Sequence, residues 1–181
     1  MESLSGTDAG RCGMNIRPMS DADGEAVMQI YQQGCDTGHA TFAEHAGEWT
    51  AWDSDHLPEC RLVAETNGAV LGWVAQSALS SRCVYRGVAE VSLYVGENGR
   101  GQCIGGALLA ALIADSEAQD YWTLRALIFP ENTASINLFA KHGFAFLATH
   151  ERLGKMEHGP LTGQWRDVVL LERRSDKAGQ A

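Results

Sequence analysis

The segment Glu90 to Leu109, EVSLYVGENGRGQCIGGALL, constrains the fold more than any other part of the chain. Its first half reads as a β-strand, and Gly96-Glu97-Asn98-Gly99-Arg100-Gly101 carries turn residues throughout. From Gly105 onward Ala107, Leu108, Leu109, Leu112 and Ile113 recur at helical spacing. A strand that runs through a glycine loop into a helix belongs to a sheet with a helix packed on it. Successive N–H groups at such a turn, backed by the helix dipole, form a pocket for phosphate, and Arg100 adds a fixed positive charge. On the glycines alone, a plain strand-to-helix turn accounts for the segment equally well. No Gly-Lys-Ser/Thr is present, so a nucleotide P-loop is unsupported, and the glycine spacing does not match a dinucleotide fingerprint.

The flanking sequence supplies the rest of the architecture. Asn15 to Met19 reads as a strand; Ser20 then offers a helix cap, with Ala26, Val27, Ile30 and Tyr31 at helical spacing. A loop is expected over Gly34 to Gly47 and a short helix over Glu48 to His56. Arg61 to Thr66 and Ala69 to Ser77 are strand-like runs joined by Asn67-Gly68, a strong hairpin signal. Val84 to Val95 is a further β-rich run, and Trp122 to Phe129 is another that Pro130 stops. Asn132 or Thr133 caps a second short helix ending at Gly143, followed by strands near Ala145 to Thr149 and Trp165 to Glu172. The order is β-α-α-β-β-β-α-β-α-β-β, an α/β mixed sheet flanked by helices; neither a TIM barrel nor a doubly wound Rossmann sheet fits. One domain is expected over residues 14–174, with a flexible extension over 1–13 and a polar, frayed tail over 175–181.

Charge and cysteine usage exclude several functions. The net charge is -9, which repels phosphate backbones and argues against nucleic-acid binding. No apolar run approaches the ~20 residues needed to span a bilayer, and no secretory signal is visible, so a cytoplasmic protein without a membrane partner is expected. Five scattered cysteines lack a C-x-x-C pair, and His142, His150 and His158 stand too far apart to share a helical face. No metal is expected, and the thiols read as reduced.

YVGENGRGQCIGGALL resembles the acetyl-CoA motif of the GNAT superfamily, Arg/Gln-x-x-Gly-x-Gly/Ala, with Arg100 and Gly105 on its first and last residue types. Cys103 stands where the family has glycine. Pro130 to Phe144, PENTASINLFAKHGF, is similar to the second cofactor segment of these enzymes, in which the asparagine and serine, here Asn132 and Ser135, meet the cofactor. Over Ile16 to Arg174, the blocks VYRGVAEVSLYV, WTLRALIFPENTASINLF and GQWRDVVLLERR resemble the phosphinothricin N-acetyltransferase family, closest to its arsinothricin-acetylating branch. The resemblance implies a cytosolic homodimer that acetylates the α-amine of a glutamate analogue with acetyl-CoA as co-substrate. It implies cofactor contacts from Leu93, Tyr94, Val95, Arg100, Gly101, Gln102, Cys103, Ile104, Gly105 and Gly106, besides Asn132 and Ser135.

An ammonium group must lose a proton before it can attack a thioester. Glu90 interrupts the apolar run around it; on the residues alone a half-exposed strand glutamate is the favoured reading, and the resemblance, which aligns it with the family's base, turns the reading to the base. Where the family has tyrosine or histidine to protonate the leaving thiolate, this chain has Phe139; Tyr94 is the substitute considered, with core packing as the other account. Arg82 beside Tyr85 is the expected grip on an anionic acceptor, and Phe42 in the Thr37 to Glu44 loop is expected to line the site. Methionine sulfoximine, another amino acid or a polyamine as acceptor, and a non-catalytic acyl-CoA-binding module, are the competing readings.

Overall fold

The computed structural model describes residues 13–180, so the extension expected over 1–13 lies, Gly13 apart, outside the described residues. The elements follow as β1 (Met14–Pro18), α1 (Gly24–Asp36), α2 (Trp49–Asp55), β2 (Leu62–Thr66), β3 (Ala69–Ala78), β4 (Val88–Val95), α3 (Ile104–Ala118), β5 (Thr123–Ile128), α4 (Thr133–Lys141), β6 (Ala145–Lys155) and β7 (Trp165–Arg174). This is the order expected from the sequence. The strands form one seven-stranded sheet in the order β1-β2-β3-β4-β5-β7-β6. Neighbours pair antiparallel, apart from β4 and β5, which run parallel.

Local chemistry explains where the elements begin and turn. Asn67 and Gly68 both have positive φ, at 51° and 80°, as the tight turn between β2 and β3 requires. Ahead of α1, Asp23 accepts bonds from the Ser20 N–H (2.8 Å) and hydroxyl (2.9 Å). Arg17 on β1 clamps the same carboxylate with two N–H donors, at 2.8 and 2.7 Å, and gives a third to Glu65 on β2 at 2.8 Å. This fork holds the Asp23 carboxyl down at about 2, against the penalty of its burial.

The core has two sides. On one, α3 and α4 pack on the sheet, with Leu108, Leu109 and Leu112 of α3 fully buried. Each such side chain contributes about 1.5–3 kcal/mol through removal from water. On the other, Val27 and Ile30 of α1 and Trp52 of α2 pack against Val63, Trp73 and Ala75.

Three expectations need correction. Val84 and Tyr85 do not extend β4; Cys83 to Tyr85 form a 3-10 turn. At Gly87 the chain passes so close to Trp122 that a Cβ would lie 2.2 Å from the indole, and Gly87 O accepts from the Trp122 and Thr123 amides at 2.8 and 3.0 Å. β6 runs on to Lys155, well beyond Thr149; register shifts at Phe146/Ala148 and His150/Gly154 break the alternation by which its second half would show in the sequence. Finally, the chain after β7 is docked rather than frayed. Ser175 N donates to Trp122 O (2.9 Å), Ser175 Oγ to Glu117 (3.0 Å) and Gly179 N to Asp120 (3.0 Å), and Ala178 is buried.

Candidate active site

The parallel pair β4–β5 is short. Val88, Ala89 and Glu90 register with Thr123, Leu124 and Arg125, and beyond them the two strands part. The β3–β4 ladder closes with Leu79 N–Val88 O at one end and Gly96 N–Leu71 O at the other. Antiparallel alternation then turns the amides of Glu90, Ser92 and Tyr94 toward β3, and those of Val91, Leu93 and Val95 toward the gap. The gap opens into a cleft of about 1140 Å³, walled by β4 residues 91–95, β5 from Ala126, the loop and first turn of α3, the start of α4, and the loop after α1.

The glycine loop forms one end of the cleft. Arg100, Gly101, Cys103, Ile104, Gly105 and Gly106 all line it. The first amides of α3 have no partner within the helix, and its first turn carries no acidic residue. Cys103 caps α3 in a left-handed conformation, with φ 61° and ψ 14°. That backbone explains why glycine is the favoured residue type there, since a side chain in it costs on the order of 1–2 kcal/mol. Cys103 itself lines the cleft. Gln102 lies off the wall; its side chain donates to Asn98 O at 2.6 Å and braces the loop. At Gly105 a Cβ would stand 3.0 Å from Leu138, so glycine lets α3 and α4 approach. Asn132 and Ser135 line the same stretch, where Asn132 Oδ1 caps α4 by accepting from Ser135 N at 3.2 Å. The pair that caps α4 thus also lines the cleft.

Toward the other end stands Glu90. Burial pushes its carboxyl up from the usual range, and Arg125, its neighbour in register on β5, partly opposes this. Arg125 reaches Glu172 on β7 at 3.7 Å, and its buried Nε has no hydrogen-bond partner among the described residues. Tyr94 also lines the cleft, yet its ring is stacked on Trp73 at 4.9 Å and meets Tyr31 edge-on at 5.0 Å. Burial pushes its hydroxyl strongly up, so it stays protonated, and it lies 3.5 Å from Ala40 O. Phe139 lines the wall between the two ends and packs edge-on to Phe144 at 4.9 Å.

Phe42 lies on the wall, against Phe129 at 4.9 Å. Arg82 and Tyr85 are not brought to it. They sit on the exposed turn before β4, with the guanidinium 5.8 Å from the Tyr85 ring. The histidines diverge: His142 Nδ1 lies 2.8 Å from Leu138 O, and His158 Nε2 lies 2.9 Å from Phe42 O. Sequence reasoning gave no role to His39, Phe129 and Glu131, which also line the cleft, or to Arg166 behind them. The available signal was a charged residue, Arg166, at the head of the apolar run Val168 to Leu171.

Residues 25–144 match the model of the acetyltransferase (GNAT) family. The chain belongs to that family. Among its relatives is the phosphinothricin N-acetyltransferase of Alcaligenes faecalis, 31% identical over 93% of this chain and 86% of that protein. The L-methionine sulfoximine/L-methionine sulfone acetyltransferase of Pseudomonas aeruginosa is 29% identical over 92% and 98%. A phosphinothricin acetyltransferase of Sinorhizobium meliloti, solved with acetyl-CoA, superimposes with a TM-score of 0.81 at 26% identity, over 93% of this chain and 91% of that one.

Acetyl-CoA is therefore the acyl donor, and the cleft fits it. The unpaired amides of Leu93 and Val95 suit a chain laid along β4, and the α3 loop with Arg100 suits a pyrophosphate. Tyr94, whose amide faces β3, contributes to the wall through its side chain.

Proposed function

We propose that this acetyltransferase acylates the α-amine of a glutamate analogue of the phosphinothricin and arsinothricin type, as a cytoplasmic detoxifying enzyme. The observation that carries the reading is Glu90, a carboxylate with a raised proton affinity on the wall of an acetyl-CoA cleft. Glu90, directly or through a water, takes a proton from the acceptor's ammonium group. The freed amine attacks the thioester carbon; the new C–N bond forms, the C–S bond breaks, and no acyl-enzyme is needed. Amides of the open edge of β4 polarise the carbonyl oxygen in this scheme. Tyr94 is the proposed source of the proton for the departing thiolate, since Phe139 has none to give. Arg82, which stands outside the cleft, is not part of this scheme.

The similarity to methionine sulfoximine acetyltransferases supports a second acceptor class, a neutral tetrahedral side chain on the same amino-acid frame. Release of free thiol from acetyl-CoA, followed with phosphinothricin, arsinothricin and methionine sulfoximine in parallel, tests both. The expected result is turnover with the anionic analogues. Glu90→Gln is expected to lose roughly 10²–10⁴-fold in kcat. Thiol release from none of the three would overturn the proposal, as would a Glu90→Gln enzyme with undiminished kcat.

A homodimer is part of the proposal. β6 is an edge strand with Phe146, Leu147 and Leu153 about half or more exposed, and Trp165 beside it on β7 is similarly open. A long apolar edge of this kind is a pairing surface, and a second copy is the occupant that covers both edges at once.

A further inference from the structure

Arg166 is the one buried arginine among the described residues, 4% exposed. It sits near the start of β7, yet its guanidinium is used by other parts of the fold. Nη1 donates to Gly38 O at 3.0 Å. Nη2 donates to Glu131 Oε2 at 3.1 Å and stands 3.5 Å from His39 Nδ1. The flat face of the ion lies over Phe129, with Cζ 4.0 Å from the ring centroid. Phe129 in turn holds Phe42. The Phe42 ring occupies the space a Cβ on Gly154 would fill, 2.7 Å from that position, and Phe42 O lies 2.9 Å from His158 Nε2.

Arg166 does not line the cleft, but His39, Phe42, Phe129 and Glu131 do. Burying a guanidinium is unfavourable unless its donors are satisfied, and a strand flanked by Val168 and Leu170 has no packing need for one. Here the donors go to the loop after α1, which carries Phe42, and to Glu131, the residue before the Asn132 cap of α4. One side chain thus ties the loop on the Glu90 side of the cleft to the segment that bears Asn132 and Ser135.

The geometry points to Arg166 as a positioning residue that holds the 37–42 loop over the acceptor end of the cleft and keeps it in register with the Glu131–Ser135 cofactor segment. It touches neither substrate and acts through Phe42 and Glu131. The inference rests on the acetyl-transfer reading above, so its test includes a readout independent of turnover.

Arg166→Met removes charge and fork, Arg166→Lys keeps the charge alone, and Glu131→Gln removes the partner. In Arg166→Met, KM for the amino-acid acceptor is expected to rise roughly tenfold while KM for acetyl-CoA moves less than about twofold. Arg166→Lys is expected to restore part of the loss. Combining Arg166→Met with Phe42→Ala should give an acceptor KM no higher than Phe42→Ala alone, because both act on one contact. Hydrogen exchange read by mass spectrometry should show faster exchange over residues 37–46 in Arg166→Met and unchanged exchange in β3. Fully additive effects, equal rises in both KM values, or an unaltered 37–46 segment would each overturn the positioning role. If the wild-type enzyme acylates no amino acid, the function fails, while the exchange measurement still decides the loop's tether. Should Arg166→Met not fold, Glu131→Gln carries the test, with smaller effects of the same sign, since that carboxylate is 57% exposed.

Discussion

At the scale of single residues, the base is defined by two opposing influences. Removal from water raises the proton affinity of Glu90, and the Arg125 guanidinium beside it lowers it again. A base must be deprotonated to work, so activity falls on the acid side as Glu90 takes up its proton. Replacing Arg125 by Met removes the stabilising charge and shifts that acid limb to higher pH. A kcat/KM profile measured by thiol release checks this; a limb that stays in place or moves down would show that Arg125 does not govern Glu90. Glu90 was legible in the sequence because a lone carboxylate interrupts an apolar run. Arg125 was not, because its meaning depends on which strand lies beside β4, and one-dimensional spacing does not carry that. Cys103 is a similar case. Its departure from glycine was visible, but its left-handed backbone, which is the physical reason for the usual glycine, needs the loop in three dimensions.

At the scale of elements, the strand-loop-helix, the Asn-Gly hairpin and the Asn132 cap were legible because each is set by local chemistry. The end of β6 and the start of β4 were not, because bulges and the Gly87–Trp122 contact are decided by tertiary neighbours. The junction of β1, β2 and α1 shows what such a contact contributes. Asp23 has a folded-state pKa of about 2, below the ~3.9 of an unfolded aspartate. Its contribution to stability is therefore fully present above about pH 4 and is lost as pH falls through about 2, an amount of about 2 kcal/mol. Asp23→Asn is expected to lose that share near neutral pH and little of it below pH 2. Urea unfolding of both proteins across this range measures the difference, and a gap that widens toward acid would contradict the assignment.

At the scale of the whole molecule, the sheet has two different edges. β1 is short and tied down by Arg17, whereas β6 is long, bulged and apolar on its surface. The proposed dimer predicts that Phe146→Lys together with Leu153→Lys shifts the mass seen by sedimentation from two chains to one. A wild-type protein that sediments as a single chain would refute it. The other whole-molecule feature is the parting of β4 from β5. Its inward amides at Leu93 and Val95 amount to an edge in the middle of the sheet, and a pantetheine chain laid there takes the place of a missing strand. The donor is then a temporary structural member as well as a reactant. Saturating CoA at 100 times its Kd is expected to add about 2.7 kcal/mol to unfolding, seen as a higher melting temperature. Between turnovers the sheet is split into two wings, joined in the sheet itself by three residue pairs of β4 and β5 and beneath it by the core under α3 and α4, until the next acyl carrier fills the gap.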